Sequence, residues 1–467
     1  MDKDLQKLSL KEKIAYGFGD LASVLYWQTF MLYFTFFYTD VFLIPAAAAA
    51  TMFLVSRVWD GINDPLMGII ADRTKTRWGK FRPYLLWICV PFAIVGVLTF
   101  TVPDFGPAGK LIWAYATFIA IMMLYTAINI PYTALMGVIS ADSKERTTVS
   151  SVKFIFAFAA GIIVSATLLP MVKALGKGHD ARGWQLSFVV YGIAAIVFFL
   201  IAFKGTRERV QPPKTQKASI KKDLFELITN GPWLILLATT ITFILFVAVR
   251  SSVTAHYFKY VVGSRELALP FLGTKTYDFE TLVSAFNTVG QVASLIGAIL
   301  VSSFARCIGK KKAFLILFII AIASTAGFYV LTAEQLSLIF LLQITGSITG
   351  GPLSVLLWAM YADTADYAEW KRGRRATGLV FSASTMSQKF GWAFGAYVAL
   401  TLMSQVGFVP NQEQSQESIR GLILLFSLIP AGLGVVSMIL LLLYPLNDQR
   451  VEGIVADLAK RRQERGE

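Results

Sequence analysis

The chain has 467 residues, of which 55% are hydrophobic and only 15% charged, with a formal net charge of +14 and a mean hydropathy of +0.60. A soluble globular chain carries about 25% charged residues, so that class is excluded. So is a membrane β-barrel, whose strands need short alternating segments.

Apolar stretches of the roughly 20 residues that span a bilayer recur along almost the whole length. They predict helices over about 14–39, 45–71, 84–103, 111–139, 150–174 and 184–203, then 232–257, 281–305, 313–332, 336–361, 376–404 and 419–445. This describes an all-α membrane protein with twelve transmembrane helices in two six-helix halves. Residues 1–13 are polar and lack a small-residue cleavage site, and the first apolar run is too long for a signal peptide, so it is expected to remain as a helix.

In the first span, Asp20, Val24, Trp27 and Gln28 share one helical face. An aromatic surface beside hydrogen-bonding groups suits a sugar ring, with its apolar C–H faces and hydroxyl rim. Asp20 alternatively serves packing or gating, and both readings stand. The second span holds Arg57, Asp60 and Asp64 on one stripe, with Asn63 beside it, at a formal charge of −1. Charges at mid-membrane cost about 2.5–3.5 kcal/mol each to insert, so they normally face a protein interior and mark an ion or substrate path. One monovalent cation would cancel the deficit. Two carboxylates and an amide supply the oxygen ligands it needs, and Thr126 of the fourth span adds a hydroxyl. The alternatives are a structural Arg57–carboxylate pair, or a proton in place of a metal ion; Asn63, which cannot be protonated, leans towards the metal ion.

Tyr125, Thr126, Asn129 and Thr133 line one face of the fourth span just before Pro131, as a polar cavity wall or as helix-to-helix hydrogen bonds. Residues 204–222 interrupt the apolar pattern with charge, Pro212 and Pro213, and read as a linker between an N-terminal bundle (1–203) and a C-terminal bundle with its tail (223–467). Ala141-Asp142-Ser143 and Ala362-Asp363-Thr364 echo one another across the halves, the arrangement of transporters built from two parallel repeats. The carboxylates are not echoed: the eighth span has no intramembrane Asp or Glu, which lodges the ion chemistry in the first half. Lys389 of the eleventh span, near Trp392, needs a counter-charge, and Asp60, Asp64 or Asp20 is expected to supply it. The sequence assigns no role to Arg250.

Lys and Arg divide 32 to 8 between the two sets of loops. By the positive-inside rule this places both termini in the cytoplasm and explains the net charge without nucleic acid. The basic loops also carry acids, and Asp72, Arg73, Arg146, Asp363, Asp366, Arg374 and Arg375, with Arg57, are expected to form gating salt bridges between the halves. His179 and His256 are expected in or near outer loops, with no metal-ligand neighbour. Cys89 and Cys307 imply neither a disulfide framework nor a zinc site. No nucleotide-binding or serine-elbow motif is present, so no enzyme activity, ATP drive or cofactor is expected beyond a co-transported cation.

YGFGD at Tyr16–Asp20, FYTDV at Phe37–Val41, RVWDGINDPLMG at Arg57–Gly68, RWGKFRP at Arg77–Pro83, NIPY at Asn129–Tyr132 and ADTADYAEWKRGRR at Ala362–Arg375 together resemble the glycoside–pentoside–hexuronide:cation symporters of the major facilitator superfamily. The resemblance implies symport of a sugar glycoside with Na⁺, Li⁺ or H⁺ across the cell membrane. Asp60, Asn63, Asp64 and Thr126 match the family's cation site, Lys389 its lysine linking the two sites, and Tyr125 a sugar-pocket tyrosine. Where the family's melibiose carriers have sugar carboxylates and a pocket tryptophan, this chain has Val24, Asn129 and Thr133, and Lys153 approximates a basic residue of the fifth helix. A pentoside, glucoside or uronide is therefore expected rather than a galactoside, in a pocket shaped by Trp27 and Gln28. A monomer is expected. A lipid carrier of the same fold and a sugar sensor that transports nothing are the alternative readings.

Overall fold

A computed structural model describes residues 8–140, 143–209, 228–269, 273–372 and 377–465. The first six helices are α1 (Leu10–Phe36), α2 (Ala46–Arg73), α3 (Arg82–Thr99), α4 (Pro107–Ile139), α5 (Ser143–Gly176) and α6 (Asp180–Gly205). Then come α7 (Gly231–His256), a hairpin of β1 (Arg265–Leu269) and β2 (Gly273–Tyr277), α8 (Phe279–Ile308) and α9 (Lys310–Gly327). The tenth span is broken into α10 (Leu336–Gly350) and α11 (Leu353–Arg372), and α12 (Thr377–Gln405) is the eleventh. The twelfth is broken into α13 (Gln416–Phe426) and α14 (Leu428–Leu442), and α15 (Asp448–Arg465) follows.

Among the described residues, nine helical spans are long and apolar enough to cross a membrane. The three other long helices, α1, α2 and α12, are those that carry Asp20, Asp60, Asp64 and Lys389. With those three, the helices agree with the twelve spans expected from the sequence. Helix starts follow local chemistry: Ser9 accepts the Glu12 amide at 3.2 Å and Asn230 the Trp233 amide at 3.2 Å, while prolines open α3, α4 and α7, where a missing N–H costs nothing. The tenth span breaks at Gly350-Gly351-Pro352, where proline removes a donor and crowds the preceding turn.

Two compact units result. The first comprises Met1–Lys214 with Tyr277–Thr288 and Met403–Glu413; the second comprises Thr215–Thr276, Val289–Leu402 and Gln414–Glu467. The linker expected over 204–222 lies outside the described residues from 210 on. In the first unit α1 packs on α5 and α6, and α3 on α4 and α6. Phe100 stacks on Phe188 with centroids 3.6 Å apart, and on Trp184 at 5.5 Å. Two outlying segments are bonded into this unit: Asn287 Nδ2 donates to Tyr33 Oη at 3.3 Å, Asn411 Nδ2 to the Asp40 carbonyl at 2.7 Å, and Lys173 pairs with Asp278. In the second unit α7 packs on α14, and α9 on α10 and α14, around Phe243, Phe246, Phe314, Phe318 and Tyr361. The C-terminal tail is a helix, α15, whose Val451, Ile454 and Leu458 are buried in that same core, and its Asp457 accepts from Trp370 Nε1 at 3.1 Å.

Candidate cation and sugar sites

Asp60 and Asp64 stand near the middle of α2, about 21 and 27 Å from its start in a helix about 42 Å long. Asp60 is 2% exposed. The Thr126 hydroxyl of α4 donates to Asp64 Oδ1 at 2.8 Å. α2 packs on α4, so this bond ties the acidic stripe to the polar wall of the fourth span. Between the two acids, Asn63 carries a buried amide nitrogen without a hydrogen-bond partner. Such an orphan calls for an explanation, and a bound ion is one that the neighbouring carboxylates support; amide oxygen and nitrogen are interchangeable by a flip. The donor set of two carboxylates, one amide and one hydroxyl is the hard-oxygen chemistry that suits an alkali cation. These four predicted residues lie in one neighbourhood of the first unit. The Arg57 side chain lies outside what the structure describes.

Asp20 of α1 is also buried, and Lys153 of α5 lies 3.5 Å from its Oδ1. Lys153 Nζ is also 5.9 Å from the centre of the Tyr132 ring. Below the pair, Tyr16 and Tyr132 stack at 4.7 Å and bond reciprocally, each hydroxyl donating to the other residue's carbonyl at 3.1 and 2.8 Å. Gly19 fits there because an added Cβ would lie 2.4 Å from the Tyr132 ring. Two turns further along both helices, Trp27 and Tyr125 stack with centroids 5.5 Å apart. The α1–α4 seam therefore places the predicted Asp20, Trp27 and Tyr125 along one line, with Gln28 and Asn129 half-buried nearby in sequence. Lys389 and Trp392 lie half-buried on α12 in the second unit.

Of the predicted gating residues, Asp363 is buried and pairs with Lys310 within the second unit. Arg73 is exposed and Asp366 half-buried. The side chains of Asp72 and Arg146, and residues 374 and 375, lie outside the described set. His256 closes α7 fully buried, and His179 precedes α6.

Several residues escaped the sequence reading. Lys153, named above only as approximating a basic residue of the fifth helix, was not read as the partner of Asp20, although a buried Asp20 requires a nearby cation and the fifth span offers this one. Arg250, deep in the second unit, lies between the rings of Phe328 and Phe426 at 4.8 and 4.9 Å and donates to Gln343 Oε1 at 2.6 Å. Glu208 and Arg209, read as linker charges, lock the ends of α1, α3 and α4. Glu208 accepts the amides of Lys80, Phe81 and Arg82 at 2.8–3.0 Å, and Arg209 forks onto Glu12 at 2.6 and 2.8 Å.

The model of the family described as MFS/sugar transport protein matches residues 15–448. The chain is 37% identical to the protein named glycoside/cation symporter YagG of Escherichia coli (strain K12), over 99% of this chain and 98% of that one. It is 35% identical to the isoprimeverose transporter of Lactiplantibacillus pentosus, over 96% and 91%. Among solved structures it resembles a bacterial homologue of the lysosomal transporter Spinster, with a TM-score of 0.61 at 14% identity, covering 93% of this chain and 96% of that one, a likeness of fold.

Proposed function

This chain belongs to the MFS/sugar transport protein family, in the branch of glycoside–pentoside–hexuronide:cation symporters, and on that premise we propose how its residues divide the work. The protein is a cation-coupled sugar symporter of the membrane, and not an enzyme. We assign the cation to Asp60, Asn63, Asp64 and Thr126, and the sugar in the first unit to the Asp20–Trp27–Tyr125 line with Gln28 and Asn129. The coupled ion is Na⁺ or H⁺, and no further cofactor takes part. Both termini are cytoplasmic, in keeping with the loop charge, and the working form is a monomer that carries sugar inward.

The observation that supports this reading best is the bond from Thr126 to Asp64, beside buried Asp60 and the partnerless amide of Asn63. Thr126 fixes the rotamer of Asp64 so that its second oxygen can face an ion. Occupancy of the stripe by one positive charge removes the electrostatic penalty of two neighbouring carboxylates. Sugar captured against the Trp27–Tyr125 stack then meets a neutral wall, and by reciprocity bound sugar tightens the cation to the same degree. A stack of this kind binds the apolar face of a sugar ring, while the Asp20–Lys153 pair offers both an acceptor and a donor to its hydroxyls.

The test is uptake into proteoliposomes of a panel of pentosides, glucosides and uronides under crossed Na⁺ and pH gradients. Asp64→Cys should insert normally yet lose cation stimulation for every sugar. Full stimulation in that variant would remove the assignment. Failure of every glycoside to enter, with wild-type protein and either gradient, would remove the sugar reading itself.

A further inference from the structure

A crevice of about 210 Å³ opens in the second unit between α8, α9 and the break of the tenth span, lined by Gly297, Leu300, Phe304, Leu317, Ile348 and Pro352. Its wall is apolar even at Thr349, whose hydroxyl is turned back onto the Thr345 carbonyl at 2.7 Å. Gly297 sets its upper limit: an added Cβ would lie 2.1 Å from the Ile348 carbonyl, so α8 and α10 touch there backbone to backbone. Towards the end of α8 the crevice lies open, since Leu300 is 56% and Phe304 37% exposed. The surrounding surface, including Ile299, Ile316 and Ile319, is the exposed apolar belt of a membrane-spanning unit.

Depth and charge identify what covers it. At 1.5 Å per residue, Phe304, Leu300 and Gly297 lie about 6, 12 and 16 Å from Ile308, the end of α8. That range is the acyl-chain depth of one leaflet, half of a hydrocarbon core about 30 Å thick. Directly beyond the open end stand Arg306 and the run Lys310–Lys312. Three of these cations make contacts within the protein: Lys310 pairs with Asp363, Lys311 donates to the carbonyls of Leu442 and Tyr444 at 3.0 and 2.6 Å, and Arg306 Nη2 donates to Ser303 Oγ at 3.2 Å. Arg306 and Lys312 are exposed, at the level where a lipid phosphate lies.

We propose that this crevice holds one acyl chain of an anionic phospholipid whose headgroup is read by Arg306 and Lys312. Bulk lipid would fill an apolar slot with any chain. The two cations at its mouth make the choice of headgroup, because charge near an anionic surface is worth about 1 kcal/mol per basic residue. The cytoplasmic orientation proposed above names the leaflet, but lipid retention is read without transport, so the two stand or fall separately.

The full-length protein, purified in a mild detergent, is incubated with phosphatidylglycerol or phosphatidylcholine and retained lipid counted by native mass spectrometry. A phosphatidylglycerol with a photoreactive acyl chain is crosslinked in parallel. Wild type should retain phosphatidylglycerol about thirtyfold over phosphatidylcholine, the factor that about 1 kcal/mol from each of the two basic residues represents, with label on the Gly297–Phe304 segment. R306Q/K312Q should abolish the preference, and L300W, which fills the slot without altering charge, should move the label elsewhere while an unchanged unfolding temperature in detergent shows the protein still folded. Equal retention of the two lipids by wild type, or label that remains on the segment in L300W, would overturn the site.

Discussion

The two units solve one problem with the same device and then part company. After the sixth span of the first unit, Glu208 caps the start of α3 beside Gly79, whose φ of +109° suits glycine. After the last span of the second unit, Asp448 accepts the Lys310 amide at 2.9 Å and caps α9 beside Gly309, with φ +91°. In both, a Cβ on the glycine would lie 2.4 Å from the capping carboxylate. The membrane interior differs: buried acids Asp20 and Asp60, with Asp64, occupy the first unit, whereas Arg250 and Lys389 are the intramembrane cations of the second. The repeat preserves the scaffold at its basic ends and lets the interior charge diverge, which is what a coupled carrier requires if one half holds a cation.

Altering the acidic half should have the largest effect. Asp60→Asn is expected to reduce the sugar–cation coupling by a factor within the 5–150-fold span of typical coupled sites, read as the ratio of stimulated to unstimulated uptake. Thr126→Ala removes a hydrogen bond to a charged acceptor, worth about 1.5–3 kcal/mol, and should weaken the apparent cation affinity by tenfold or more while leaving maximal uptake measurable. Equal effects from Thr126→Ala and from a hydroxyl deletion elsewhere on α4 would show that Asp64 is not held for an ion.

The capping device gives the next largest effect. Glu208 takes three backbone donors and Asp448 one, so Glu208→Ala should cost more of the thermal stability of the detergent-solubilised protein than Asp448→Ala, which should cost the roughly 1 kcal/mol of an ordinary cap. Reversal of that order would break the parallel. Arg250→Leu should fall between them: it strips two ring contacts and strands Gln343, a loss of about 1–3 kcal/mol, with Arg250→Lys recovering part of it because the ammonium keeps charge but lacks the planar fork.

The comparison also explains what was legible. Hydropathy marks nine spans in the described residues because membrane crossing is a local property of about 20 residues, while the polar residues of α1, α2 and α12 dilute the apolar signal of those three helices. The acidic stripe is legible because Asp60, Asn63 and Asp64 lie within one helix. Arg250 is not, because Phe328, Gln343 and Phe426 lie 78 to 176 positions away, and only packing brings them to it. Glu208 sits among linker cations and looks like topology; its bonds to residues 80–82 cross 126 to 128 positions. α15 carried a readable apolar spacing at Val451, Ile454 and Leu458, but its surrounding charge resembles a solvated tail. The breaks at Gly350-Gly351-Pro352 and Ser427 fall inside continuous apolar runs, where hydropathy is blind to backbone geometry.

The smallest expected effect concerns the outlying segment that joins the first unit. Burial alone would raise the Asp278 carboxyl, but the Lys173 ammonium and the Thr281 hydroxyl and amide, the latter donating at 2.9 Å, outweigh it and hold the group below the usual carboxylate range. A carboxylate whose folded value is depressed contributes fully above its unfolded value of about 3.9, and loses that contribution only as pH falls through the lower folded one. The pair is partly exposed, with side chains 54% and 32% accessible, so its worth is at most about 1 kcal/mol. Asp278→Asn should therefore lower the unfolding temperature by a small amount that is constant from pH 7 down to about pH 4 and vanishes below it. A difference that instead grew between pH 7 and pH 5 would mean that the carboxyl titrates high, and that Lys173 does not hold this segment to the first unit.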